Sequence, residues 1–160
     1  MIVVLMGVTG SGKTTVGKLL SRDLGWKYYD ADDFHPSANV EKMRGGIPLE
    51  DNDRKPWLDT LRHLIRDCLD RGESAVLACS ALKEDYRRQL LVDERVKLIY
   101  LKGEYELIEK RLKKRRRHYM NPRLLDSQFA TLEPPKDRIE INVSSRPSEI
   151  VRTIRTRLDL

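Results

Sequence analysis

The chain has 160 residues, a net charge of +6, and 39% apolar against 35% charged residues. That length holds one contiguous core and little more, so a single domain over residues 1–160 is expected. No stretch of about 18 uncharged apolar residues exists, which excludes a membrane-spanning helix.

The N-terminal run Ile2-Val3-Val4-Leu5-Met6 is too short for a secretory leader and lacks its basic flank and cleavage site. It reads as a buried strand. A helix follows over Lys13–Leu24, where Val16, Leu19, Leu20 and Leu24 recur at helical spacing. A second strand at 26–29 leads into a long irregular stretch near 31–53. The next helix, 56–70, carries Leu58, Leu61, Leu64, Ile65, Cys68 and Leu69 on one stripe and opens with Pro56 in its first turn. Strands at 75–79, 96–101 and 138–143 then alternate with helices at 83–91, 104–116, 122–132 and 147–160. A second irregular piece spans 114–121. Strand–helix alternation of this kind builds a parallel sheet covered on both faces. The fold class expected is therefore α/β, a P-loop NTPase-like three-layer sandwich with five parallel strands. Cys68 and Cys79 lack CxxC spacing and read as reduced, inert thiols of a cytoplasmic protein.

The first strand runs into Gly7-Val8-Thr9-Gly10-Ser11-Gly12-Lys13-Thr14, a complete G-x-x-x-x-G-K-[ST]. Its glycines let the backbone approach a polyphosphate closely. The helix N-terminus beyond offers unpaired N–H groups to an anion. Lys13 is expected on the β- and γ-phosphates, and the Thr14 hydroxyl on Mg²⁺. The nucleotide-binding set runs from Gly7 through Thr15, and ATP with Mg²⁺ is the implied pair.

Transfer to a hydroxyl needs the acceptor oriented, its proton taken and the migrating charge neutralised. The second strand ends in Asp30-Ala31-Asp32-Asp33-Phe34-His35-Pro36, at the sheet edge where ligands of α/β proteins bind. Asp30 and Asp32 share a face if the strand persists. One would support a hydrated metal and the other take the acceptor's proton, the alternative being a solvated acidic turn. The third strand ends in Ser80 where many P-loop proteins carry an acid, which directs the metal-supporting role to Asp30 or Asp32. His35 is either a turn residue or a neutral donor to a polyol. Arg54, and Lys83 with Arg87 one helical turn apart, are cations placed to hold an anionic acceptor; solubilising charges are the plainer reading. The basic run Arg111-Leu112-Lys113-Lys114-Arg115-Arg116-Arg117-His118 has three readings: a lid closing over phosphates, an RNA-contacting patch, or favourable charge at a helix C-terminus.

Taken together, Gly7–Thr14, Tyr29–Pro36, Gly46–Leu49, Asp53-Arg54-Lys55-Pro56-Trp57-Leu58, Ala78-Cys79-Ser80-Ala81-Leu82-Lys83, Tyr86-Arg87 and Gln128-Phe129-Ala130-Thr131-Leu132-Glu133-Pro134 resemble the gluconokinases of the shikimate-kinase-like branch of P-loop kinases. The likeness runs nearly end to end. It implies ATP-dependent phosphorylation of D-gluconate at its 6-hydroxyl, a Mg²⁺ requirement and a homodimer, with no nucleic-acid or membrane partner. It makes Asp32 the base, with Thr14 and, through water, Asp30 supporting the metal. His35, Arg54, Lys83 and Arg87 become acceptor contacts within an acceptor-binding region of about 31–70. Lys13 and Arg115 become the catalytic cations, Arg115 from a lid of about 111–122 that Arg116 and Arg117 make unusually basic. Two rivals remain: a kinase for another acceptor (a shikimate-like acid, another aldonate or a nucleotide), and an RNA-binding P-loop protein. With only 6% aromatic residues the chain is poorly furnished to stack a nucleobase acceptor.

Overall fold

The structure is a computed structural model and describes residues 1–115 and 122–160. Strands β1 (Ile2–Met6), β2 (Lys27–Asp30), β3 (Ala75–Ala78), β4 (Val96–Lys102) and β5 (Ile139–Asn142) form one sheet in the order β2-β3-β1-β4-β5. Every pairing is parallel. All five residues of β1 are buried, as expected for a central strand covered on both sides. Its side chains alternate between two cores. Ile2, Val4 and Met6 join one with Trp57, Leu61 and Ile65, while Val3 and Leu5 join the other with Val16, Leu20, Ile150 and Ile154.

The helices supply those two outer layers. They are α1 (Lys13–Leu24), α2 (Ser37–Arg44), α3 (Asp51–Asp70), α4 (Glu84–Leu90), α5 (Tyr105–Lys114), α6 (Pro122–Thr131) and α7 (Pro147–Leu158). The five-strand parallel sandwich is thus the one the alternation of elements predicts. Because β2 and β3 lie to one side of β1 and β4 and β5 to the other, the crevice where the strand order reverses opens at the C-terminal end of β1. Among the described residues, no helix is long and apolar enough to cross a membrane.

Three expectations are corrected. The stretch 31–53 is largely helical, holding a 3-10 turn at Ala31–Phe34 and then α2. α2 escapes a periodicity reading because it buries only one residue, Asn39. α3 starts five residues early: the Asp53 carboxylate accepts from the Glu50 N–H at 2.9 Å and caps its first turn. Pro56 therefore sits one turn inside the helix, where its missing N–H leaves one helical bond unmade. Finally, β2 is shifted by one residue, since the Trp26 N–H is claimed by Ser21 O in the turn closing α1.

Candidate active site

The loop between β1 and α1 wraps the crevice. At Gly7 a Cβ would stand 2.6 Å from Ser11 Oγ and 2.8 Å from Leu101 O, so only glycine lets the strand turn there. Gly12 caps α1 at φ 97°, a left-handed conformation that aims the first N–H groups of the helix back into the loop. Lys13 Nζ donates to Gly7 O at 2.8 Å and Val8 O at 2.9 Å, which holds the ammonium over the loop. Burial pushes its pKa down to about 8; Asp32, Cys79 and Asp30 pull it up, and Arg115 adds to the depression. Thr14 and Thr15 are exposed on the first turn of α1. The Thr9 N–H is taken by Gln128 Oε1 of α6 at 2.6 Å, a tie that the loop motif gives no hint of.

β2 delivers the acidic group, though not along a strand face. The strand stops at Asp30, whose Oδ1 accepts from the Asp32 N–H at 2.9 Å and caps the 3-10 turn. The expected shared face is replaced by this cap, which rotates Asp32 out to the rim. The Asp32 side chain is 83% accessible, while neighbouring protein still desolvates its carboxyl. Its pKa is raised, first by that desolvation and then by Asp30, against the pull of Lys13. Lys13 and Asp32 therefore feel each other's charge across the crevice, the juxtaposition a transfer site requires.

Beneath Asp32 lies His35, with a side chain only 5% exposed and Nε2 4.0 Å from Asp32 Oδ1. Its ring stacks on Trp57 at 4.3 Å between centroids and 12° between planes. Trp57 is pinned in turn by a 2.7 Å bond from Nε1 to Ala31 O. Burial first, and Arg54 second, lower the His35 pKa and keep the imidazole neutral.

The cations divide. Arg54 Nη1 donates to Leu49 O at 2.8 Å and Tyr86 OH at 3.3 Å. Lys83 Nζ donates to Asp51 Oδ1 at 3.2 Å, and Tyr86 OH donates to the same oxygen at 2.6 Å. Arg54 and Lys83 both stand over the Tyr86 ring, at 5.5 and 5.7 Å from its centroid. Tyr86 and Asp51 thus organise the two cations, a role that sequence spacing could not assign. Lys83 is the residue capping α4, so it does not share a helical face with Arg87 as expected.

Arg87 is also unlike the exposed cation anticipated. It is 2% exposed. One terminal nitrogen, Nη1, donates to Ala81 O at 2.8 Å and Leu82 O at 3.1 Å; the other, Nη2, donates to Glu84 Oε2 at 2.9 Å and Glu133 O at 2.7 Å. Its guanidinium ties the loop after β3, including Ala81 at φ 44°, to the segment that follows α6. In this geometry Arg87 shapes the loop that carries Lys83, and its terminal nitrogens are occupied by protein oxygens.

Of the basic run, Arg111 donates to Val143 O at 2.5 Å and Lys113 to Glu109 Oε1 at 3.4 Å, so both are occupied within the fold. Arg115, at the end of α5, is exposed and acts through space on Lys13. Arg116, Arg117 and the remainder of the expected lid to Asn121 lie outside the described residues.

The donors fit a polyphosphate: a glycine-lined cradle, a buried Ser11 Oγ without a hydrogen-bond partner inside it, and Lys13 above it. Among the described residues, no cluster of three His, Cys, Asp or Glu could hold a metal by itself. That suits Mg²⁺, which keeps several waters and binds through one or two protein groups plus substrate phosphates. Cys79, at the end of β3, is buried with its thiol pushed up to about 12, chiefly by burial, and is inert.

A family model described as shikimate kinase matches residues 9–157. The gluconokinase of Gluconobacter oxydans is 46% identical over 136 residues, covering 84% of this chain and 76% of that protein. The gluconokinase of Arabidopsis thaliana is 40% identical over 169 residues, covering 96% and 89%. A solved structure of a gluconokinase from Sinorhizobium meliloti superimposes with a TM-score of 0.83 at 36% identity, over 94% of this chain and 86% of that one.

Proposed function

The chain belongs to the gluconokinases within the shikimate kinase family, and from that premise we infer that it transfers the γ-phosphoryl group of ATP to the 6-hydroxyl of D-gluconate. The products are 6-phospho-D-gluconate and ADP. The observation that carries this reading is the electrostatic pairing of Lys13 with Asp32 across the crevice, beside the Arg54 and Lys83 cations.

The roles follow from that geometry. Within Gly7–Thr15 the N–H groups of Gly7, Thr9 and Ser11 are taken by Ser80 O, Gln128 Oε1 and Val8 O. The others and the Lys13 ammonium hold the β- and γ-phosphates and take up the charge that develops between them. Asp32, whose raised pKa makes it a better proton acceptor than an ordinary carboxylate, removes the 6-hydroxyl proton as that oxygen attacks the γ-phosphorus. The bond to the bridging oxygen of ADP breaks and its electron pair leaves with ADP. Lys83 and Arg54 bind the gluconate carboxylate, and His35 binds its hydroxyls. Arg87 acts one step back, by fixing the turn that presents Lys83. Arg115 supports the phosphates from the end of α5 as part of a lid. The Thr14 hydroxyl, and Asp30 through water, would hold Mg²⁺, which when bound neutralises phosphate charge. We place the reaction in the cytoplasm, where two free, buried thiols stay reduced, and assign the chain to a homodimer of single-domain subunits.

The deciding experiment is ADP release measured against a panel of acceptors. Gluconate should be turned over far faster than shikimate, other aldonates or nucleoside monophosphates. Equal or better turnover of any of the others would overturn the assignment.

A further inference from the structure

Asn39 is 4% exposed and is the one buried residue of α2. Its Nδ2 donates to Asp53 O at 2.8 Å and stands 3.2 Å from His35 Nδ1. A main-chain carbonyl can only accept, so the atom facing Asp53 must be the amide nitrogen; the side chain cannot be turned the other way. The same nitrogen has a second hydrogen to give, and His35 Nδ1 can receive it only as an acceptor. A neutral imidazole carries one N–H, which is then on Nε2. Nε2 is the nitrogen that faces Asp32 Oδ1.

Trp57 stacks on the ring and is itself tied to Ala31 O, one residue before Asp32, which fixes the ring plane. A half-turn flip within that plane would put Cδ2 against Asn39 Nδ2 and lose that bond. The 4.0 Å between Nε2 and Oδ1 is too long for a direct hydrogen bond. It does leave both atoms within reach of a single oxygen about 2.8 Å from each.

We propose that Asn39 is a positioning residue which, acting through His35, holds the imidazole as its neutral Nε2–H form and so presents a donor beside Asp32. An acceptor hydroxyl lying between them takes the Nε2–H on a lone pair and gives its own O–H to Asp32, the acceptor on its other side. The depressed His35 pKa, owed to burial and then to Arg54, acts in the same sense by keeping Nδ1 free of a proton. This inference rests on the proposed role of Asp32 as base; the Asn39–His35 linkage itself stands on hydrogen-bond geometry alone.

The test joins a spectroscopic readout to kinetics, both on the full chain. ¹⁵N NMR of the wild-type imidazole should show His35 protonated on Nε2 and bare on Nδ1. In Asn39→Asp the carboxylate can only accept, so a proton should move to Nδ1. For Asn39→Asp, kcat with gluconate should fall by up to about 100-fold while the KM for ATP stays within about twofold. A wild-type His35 protonated on Nδ1 overturns the proposal, whether or not Asn39→Asp folds. So does unchanged gluconate turnover in a variant whose tautomer has switched. Wild-type protein with the expected tautomer but no gluconate turnover would instead sink the reading of Asp32 and its substrate.

Discussion

As the proposed base, Asp32 must be charged to take a proton yet basic enough to want one, and its surroundings set that balance. Desolvation and Asp30 raise its pKa while Lys13 restrains the rise. Asp32→Asn keeps the shape and removes the proton acceptor. Turnover should fall about 10²- to 10⁴-fold while ATP affinity changes little, read from initial rates beside an ATP titration. Near-normal turnover would remove Asp32 as the base. Lys83 makes the complementary case. Its ammonium is parked on Asp51 Oδ1 and over the Tyr86 ring, positioned to exchange an internal carboxylate for an incoming one. A charge-assisted hydrogen bond of about 1.5–3 kcal/mol is at stake. Lys83→Ala should therefore raise the KM for gluconate roughly 10- to 100-fold and leave that for ATP nearly unchanged. Equal effects on both constants would argue against an acceptor contact. Residue types at these positions were legible in the sequence, because acids and cations at strand ends have few other reasons to gather. Their partners were not. Nothing in the spacing of Asn39, Asp51 and Tyr86 distinguishes them from surface residues of their helices.

Elements decide what those residues can reach. The phosphate loop was legible to the residue, since its glycine spacing is dictated by backbone sterics and α1 begins where the motif requires. Gly7→Ala forces a Cβ against Leu101 O, which as backbone cannot move aside. A loop distortion of about 1.4 kcal/mol already costs tenfold in affinity. ATP affinity should drop by at least that factor, with far-UV circular dichroism unchanged. Arg87 shows the opposite situation. Sequence marks a cation near the substrate edge but cannot say that its stem runs inward to three carbonyls. Arg87→Ala removes the guanidinium donor from Ala81 O and Glu133 O, while Leu82 O keeps the Glu133 N–H, and a loss of about 2–4 kcal/mol of stability is expected in urea unfolding. If Arg87 were chiefly an acceptor contact, the gluconate KM would change with stability nearly intact. α2 was missed for a related reason, as eight residues burying one polar side chain leave no apolar rhythm to read.

At the scale of the whole molecule, the parallel sheet was readable from its inner strands. β1 and β3 are buried throughout and β4 nearly so, and they appear as largely apolar runs, whereas the edge strands β2 and β5 are partly exposed and carry polar residues. The reversal of strand order at β1 then gathers the ends of β1, β2 and β3 at one rim, and with them the segments that carry Lys13, Asp32 and Lys83. The same rim ties stability to pH. His35 binds its proton less readily folded than unfolded, so the unfolded chain takes up protons first as pH falls below about 6.5. Stability contributed by the neutral ring is present above that value and is lost progressively down to the folded pKa. Asp51 and Asp53, both held below the usual carboxylate range, give a separate loss at lower pH, below about 4. Melting temperature should therefore fall in two stages on acidification, and His35→Gln should flatten the first stage alone. A first stage identical in the variant would contradict this origin.

The lysine folded over its own loop has one more consequence. With a pKa of about 8, Lys13 is incompletely charged in mildly alkaline solution, and a bound polyanion must restore the missing proton. Nucleotide binding near pH 8 is thus coupled to proton uptake from the buffer. Calorimetric heats of ATP binding should differ between buffers of unlike ionisation enthalpy, and affinity should weaken as alkalinity drains the charge that the phosphates need.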